Sequence, residues 1–178
     1  MAEQPVTHSG RAAPDRAGFD ELVLERIAEL EPDADRDAIA VVFNLMRLAN
    51  VVSADVESAV HRPRGLSWAG FRILFALWAA GSLEPRVLAR LAGVTRASIS
   101  SVLNTLERDG LVERKRESAD RRMVAVVLTP RGRDAVATAF KGHHERERAW
   151  LAPLSRAETR TLSQLLHRLL AERPAGGG

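Results

Sequence analysis

The sequence predicts a mainly α chain carrying one small β-hairpin. Three observations lead there. Apolar residues recur at three- and four-residue spacing through most of the chain, the period of a helix with one buried face. That period gives way to a strand-like pattern once, just after Gly110. The 178 residues are 46% hydrophobic and 28% charged, the balance of a globular chain long enough to bury a core.

Residues 1–17 carry Pro5, Gly10 and Pro14 with little periodicity and read as a tail. Phe19, Leu22, Val23, Ile27 and Leu30 then mark a short amphipathic helix, closed by Pro32. Asp33 and Asp35 are candidate N-caps for a second helix that runs to about His61 through Ile39, Val42, Phe43 and Met46. Arg62-Pro63 and Gly65 stop it. Ser67 caps the third helix, with Leu66 and Phe71 placed as a hydrophobic staple. Trp68, Phe71, Phe75 and Trp78 line one face before Gly81 ends it. Glu84-Pro85 opens a short fourth helix with Pro at its first position. Leu88 and Leu91 are expected to face inward, and Gly93 suits the left-handed stop.

Thr95 caps the helix from Arg96 to Asp109. Ile99, Val102, Leu103 and Leu106 form a single apolar stripe. The opposite face holds Ala97, Ser98, Ser100, Ser101, Asn104, Thr105 and Arg108, with no acid among them. A helix that merely faces solvent mixes Glu, Lys and Arg for i,i+4 pairing. Short donors, methyl groups and no carboxylates suit close approach to a nucleic-acid surface.

Leu111–Glu117 and Met123–Thr129 read as two strands joined by Ser118-Ala119-Asp120-Arg121-Arg122, a hairpin with a basic tip. Thr129-Pro130 starts a long helix to about Trp150. Pro153 breaks it, and Ser155-Arg156-Ala157-Glu158 is a capping box for a last helix rich in leucine. The expected organisation is a tail (1–17), N-terminal helices (18–61), a helix–helix–hairpin domain (66–133), C-terminal helices (134–172) and a second tail (173–178).

Composition excludes several functions. There is no cysteine, hence no disulfide framework, thiolate metal site or thiol redox sensor. No uninterrupted apolar run approaches the roughly 20 residues of a membrane helix, and no secretion signal opens the chain; a cytoplasmic location without membrane association is the expectation. Neither a nucleophile motif nor a phosphate-binding loop is present, so an enzyme is not expected, and no cofactor or metal is implied. Of the 26 basic residues all but Lys115 and Lys141 are arginine, whose planar fork binds phosphates and guanine edges. A formal charge of +3 decides nothing without placement. His143 and His144 diverge by about 100° on a helix and do not share a metal by themselves; their ordinary reading is a solvated face, with His143–Glu147 as a possible i,i+4 pair.

Helix, tight turn at Gly93, second helix and basic hairpin, in that order, make a winged helix-turn-helix. The second helix would enter a major groove, and an arginine of the hairpin the neighbouring minor groove. The segment from Val94-Thr95-Arg96 to Gly110-Leu111-Val112-Glu113-Arg114 resembles the recognition-helix region of the MarR (multiple antibiotic resistance regulator) family. Asp120-Arg121-Arg122, five residues, then Leu128-Thr129 resembles that family's wing signature, D-x-R followed by L-T. The resemblance covers roughly residues 35 to 172. It implies a homodimer built by N- and C-terminal helices. Such a dimer binds a pseudo-palindromic duplex operator, usually represses, and often lets go on binding a small anionic or phenolic ligand.

Carried over residue by residue, Thr95, Arg96, Ala97, Ser98, Ser100, Ser101, Asn104 and Thr105 fall on the groove-facing helix. Ala97 stands where many relatives have proline. Ser101 stands where relatives often carry arginine, which shifts weight from guanine contacts toward DNA shape. Arg122 matches the minor-groove arginine, Asp120 would orient it, and Arg116 and Arg121 are candidate phosphate contacts. Relatives bind effectors between the long first helix, the aromatic helix and the winged domain, which makes Phe43, Arg47, Trp68 and Arg72 pocket candidates. The ordinary reading of most of the four aromatics on that aromatic helix is dimer or domain core. A winged helix that serves as a protein-interaction module or antirepressor, without binding DNA, is the alternative. Such a module has no need of Asp120, Arg122 and an acid-free helix face together.

Overall fold

A computed structural model of the chain describes residues 16–116 and 124–172. In order, the elements are α1 (Arg16–Leu30), α2 (Arg36–Val56), α3 (Trp68–Ala80), α4 (Pro85–Leu91), α5 (Arg96–Arg108), β1 (Val112–Arg116), β2 (Val124–Leu128), α6 (Pro130–Leu151) and α7 (Arg156–Ala171). The expected class, mainly α with a small β-wing, is the one observed. Helix α2 continues through a π turn, Glu57–His61, and a 3-10 turn, Arg62–Arg64.

The capping chemistry sets the helix starts. Asp35 Oδ1 accepts from the Ala38 amide at 2.9 Å, and the side chains of Ser67, Thr95 and Thr129 each accept from the amide three residues on. Ser155 and Glu158 complete the reciprocal capping box of α7. The hydrogen bonds to Ser155 hold the Glu158 carboxyl below the usual carboxylate range.

Two compact units divide the chain between Asn50 and Val51, inside α2. The helix-stop signals lie further on, at Arg62–Gly65. The division comes earlier because Val56, Val60 and His61 are buried and the π turn packs on α3 and α6.

The first unit holds α1 and most of α2. Among its described residues none is buried, and Leu30, Val41, Val42, Leu45, Met46 and Leu48 are all exposed. By length and composition alone the continuous helical run Arg36–Arg64 is apolar enough to cross a membrane, with a mean hydropathy of 1.5 in its best window. Counting uninterrupted apolar residues misses this, because Asn44, Arg47 and Asn50 break the run without lowering its average far.

The second unit is centred on α3. Ile73, Leu74 and Leu77 are fully buried there together with Leu88 of α4, Leu103 of α5, Val126 of β2 and Val136 of α6. Strands β1 and β2 pair antiparallel from Val112↔Leu128 to Arg116↔Val124. Leu83 adds a short antiparallel bridge to Val126 on the other side, a pairing that the sequence pattern did not reveal.

Gly132 explains the glycine after Thr129-Pro130. A Cβ there would lie 2.0 Å from the Leu111 carbonyl oxygen, so α6 meets the corner between α5 and β1 backbone to backbone. Thr129 donates its hydroxyl to the Gly110 carbonyl at 2.7 Å and accepts from the Gly132 amide at 3.0 Å. Asp55 ties the end of α2 to α6 by accepting from Arg146 Nε at 3.0 Å and Trp150 Nε1 at 2.8 Å. Those donors hold its carboxyl below the usual range, Arg146 first.

Three expectations need correction. Leu91 is 57% exposed, because Leu88, Ala89 and Ala92 take the inward side of the seven-residue α4. Trp78 is exposed in the single chain and so is not part of the domain core. His143 is buried, not solvated; it sits on the α6 face that meets α3 and the π turn, and only His144 is exposed.

Candidate nucleic-acid interface

The turn between α4 and α5 is built by Gly93, whose φ of 60° few side chains tolerate. The Val94 amide donates to the Ala89 carbonyl at 2.9 Å, and Thr95 then opens α5. Ile99, Leu103 and Leu106 anchor α5 in the core. Thr95, Arg96, Ala97, Ser98, Ser100, Ser101, Asn104, Thr105 and Arg108 are all exposed. The face that the sequence marks as acid-free is therefore an outward face of its unit, uncovered among the described residues. Thr95 Oγ1 donates to Ser98 Oγ at 2.8 Å.

The acids on and after α5 are neutralised at the edges of that face. Asp109 pairs with Arg108 at 3.0 Å. Glu107 pairs with the Arg114 guanidinium across the α5–β1 corner and accepts from the Arg114 amide at 3.3 Å. Arg114 also donates to Asn104 Oδ1 at 2.8 Å. The sequence does not show Glu107 and Arg114 as partners within the site, since separations of seven and ten residues across two element types carry no periodic signal. Arg116 ends β1. Asp120, Arg121 and Arg122, expected at the hairpin tip, lie outside the described residues.

Of the four pocket candidates, Trp68 and Arg72 come together. They line a cavity of about 430 Å³ between α3, α4 and α6, with Phe75, Phe140, His143 and Glu147 among its other walls. Arg72 stands 5.5 Å over the Trp68 ring and donates from Nη2 to the Gly93 carbonyl at 2.8 Å. Its Nε is buried with no hydrogen-bond partner among the described residues, and burial pulls its pKa below the ordinary arginine value. Phe43 and Arg47 belong to the first unit. There the Arg47 guanidinium stands 5.1 Å from the Phe43 ring centre, and Phe43 lines a small cleft with Val23 and Ile39.

Behind the cavity wall lies a chain of hydrogen bonds that the sequence showed only in part. His143 Nε2 meets Glu147 at 3.1 Å, and its Nδ1 meets His61 Nε2 at 3.2 Å. His61 stacks on Phe71 with ring centres 4.2 Å apart. Burial first, then the nearby His143 and Arg64, push the His61 pKa down to about 4. His61 stands 82 positions before His143, and helical spacing cannot register such a pairing. No group of three or more His, Cys, Asp or Glu able to hold a metal occurs among the described residues.

A helix–turn–helix that presents an exposed acid-free face, flanked by a two-stranded antiparallel wing, defines a DNA-binding regulator of the winged helix-turn-helix class. A model of the MarR family matches residues 66–124. YwaE of Bacillus subtilis (strain 168), an uncharacterized HTH-type transcriptional regulator, is 33% identical over 133 residues, 75% of this chain and 78% of that protein. YetL of the same organism, an HTH-type transcriptional repressor, is 34% identical over 118 residues, covering 65% and 70%. A solved structure of BpsR from Bordetella bronchiseptica, whose DNA binding is regulated by 6-hydroxynicotinic acid, aligns with a TM-score of 0.67 at 25% identity over 72% of this chain and 97% of that chain. The chain belongs to the MarR family of transcriptional regulators, and is a regulator rather than an enzyme.

Proposed function

We propose that the protein is a cytoplasmic homodimeric repressor that grips a pseudo-palindromic operator and releases it when a small aromatic acid binds. The observation that carries this reading is the outward face of α5, where Ala97, Ser98, Ser100, Ser101, Asn104, Thr105 and Arg108 are exposed with no carboxylate among them, whereas an ordinary solvent-facing helix mixes acids and bases. In this reading Thr95, Arg96, Ala97, Ser98, Ser100, Ser101, Asn104 and Thr105 meet the major groove. Arg122, oriented by Asp120, enters the minor groove, and Arg116 and Arg121 meet phosphates. Half-sites about one helical turn apart (~10 bp) follow from the two-fold symmetry of a dimer.

The uncovered apolar residues of α1 and α2 and of α7, where Leu165, Leu169 and Leu170 are exposed, supply surface for a second copy. The relationship to a repressor, YetL, supports the sign of regulation. For the effector, the cavity offers aromatic walls with Arg72 at one side and Glu147 among the other lining residues. An anionic aromatic ligand answers the aromatic walls and Arg72, and the DNA binding of BpsR is regulated by one such acid. Arg72 also holds the Gly93 carbonyl. A ligand carboxylate drawing on Arg72 would thus act on the turn that leads into α5.

The test is titration of the purified protein with duplex DNA from the flanks of its own gene. Arg122→Ala is expected to weaken binding on every sequence, by roughly tenfold, and to reduce the salt dependence. A curve that overlays wild type overturns the wing contact. Failure of the wild-type protein to bind any duplex in dilute buffer favours the interaction-module reading.

A further inference from the structure

We infer that Asn104 reads the operator with the donor end of its amide, and that Arg114 is the positioning residue that makes it do so. The inference rests on the DNA-binding reading of α5.

A free asparagine amide is two-sided. It can offer oxygen and NH₂ together, the pairing that suits adenine, or turn over and offer either end. Asn104 does not have that freedom. A guanidinium has only donors, so the group facing Arg114 Nη2 at 2.8 Å must be the Asn104 oxygen. The amide orientation is thereby fixed by chemistry.

Arg114 is itself held. Glu107 Oε1 accepts from the Arg114 backbone amide at 3.3 Å, and Glu107 Oε2 pairs with its guanidinium. These contacts anchor both the strand and the side chain to the same helix that carries Asn104. The Arg114 and Glu107 side chains are 30% and 39% exposed, so the clamp lies at the surface beside Asn104, held by three hydrogen bonds rather than by burial. Asn104 itself is exposed on the outward face.

Two consequences follow for recognition. One lone pair of Asn104 Oδ1 is occupied. The positive guanidinium beside that oxygen also disfavours approach by the amino edge of adenine or cytosine, which is a donor of like polarity. The NH₂ group, polarised by the same charge, is left as the reading group. It suits acceptor edges in the major groove, guanine O6 and N7 side by side or thymine O4; adenine offers only N7, next to an amino donor that the guanidinium disfavours. Arg114, though basic and beside the wing, is spent on this clamp and is a specificity-determining residue rather than a phosphate contact.

The experiment uses the full-length protein and duplexes selected from a random pool. At the position that Asn104→Ala relaxes, all four bases are compared for wild type, Arg114→Met and Asn104→Asp, with melting temperatures measured alongside. Wild type is expected to favour guanine or thymine over adenine by roughly tenfold. Arg114→Met should let adenine rise to within about threefold of the preferred base. Asn104→Asp keeps the clamp as an ion pair, so it retains the fold, and it should turn the preference toward cytosine or adenine, whose amino groups donate.

Three results overturn the inference while leaving DNA binding intact. They are a wild-type preference for adenine, an Arg114→Met that weakens all four sequences equally without changing their ranking, and an Asn104→Ala that relaxes no position. A wild-type protein that binds no duplex overturns the reading beneath it as well.

Discussion

Helices α3 and α5 are each thirteen residues long, belong to the same folded unit, and spend their residues in opposite ways. Helix α3 buries Gly70, Phe71, Ile73, Leu74 and Leu77 and turns its remaining aromatic side toward a cavity. Helix α5 buries only Ile99, Leu103 and Leu106, and its outer face holds small residues with Asn104, Arg96 and Arg108. One is the keel of the domain; the other is held by a narrow stripe so that its outer face stays available. Burial of apolar surface stabilises the fold wherever it occurs, so a helix with so little of it is positioned chiefly for what it shows outside.

The most forceful way to break this contrast is to empty the keel. Leu74→Ala is expected to cost about 3 kcal/mol, the usual range for a fully buried leucine, and chemical denaturation would record it. Ser100→Ala on the outer face of α5 should move stability by less than about 0.5 kcal/mol in the same assay. Equal losses at the two sites would dissolve the distinction.

The cavity side of α3 is sharpened by Arg72→Met. If the proposed effector reading holds, a hydroxylated aromatic acid should raise the melting temperature of wild type, since a ligand that binds only the folded state stabilises it. Loss of a charge-assisted hydrogen bond should weaken that ligand at least about tenfold in the variant. An unchanged ligand shift in Arg72→Met would remove Arg72 from the site.

A smaller effect is expected from pH. His61 has a pKa of about 4 in the folded chain against about 6.5 when unfolded. Below 6.5 the unfolded state therefore binds more protons. The stability contributed by neutral His61 is complete above about pH 6.5 and is lost progressively as pH falls toward 4. Melting curves between pH 7.5 and 5 should show the decline, and His61→Phe, which keeps a ring against Phe71, should flatten it. Parallel pH profiles for the two proteins would contradict the burial argument.

How much of this was legible beforehand follows the range of each signal. Caps and stripes are local, so Ser67, Thr95, Thr129 and the Ser155–Glu158 box stood plainly in the sequence and proved to make the bonds expected of them. The outward face of α5 was legible for the same reason: a period of 3.6 sorts residues onto faces. What stayed hidden is pairing across elements. His61 with His143 and Asn104 with Arg114 are contacts between side chains on different elements, and no periodicity encodes them. Leu91 misled because a seven-residue helix offers too few turns for the period to choose among Leu88, Ala89, Leu91 and Ala92.

The outward face of α5 is tested most directly by placing on it the one group it lacks. Ser101→Glu adds a carboxylate at an exposed position and touches no core contact, so the melting temperature should hold. Binding to the operator duplex, measured by fluorescence anisotropy at fixed salt, is expected to fall by at least about tenfold. An unaltered titration with an unaltered melting temperature would mean that DNA does not approach this face.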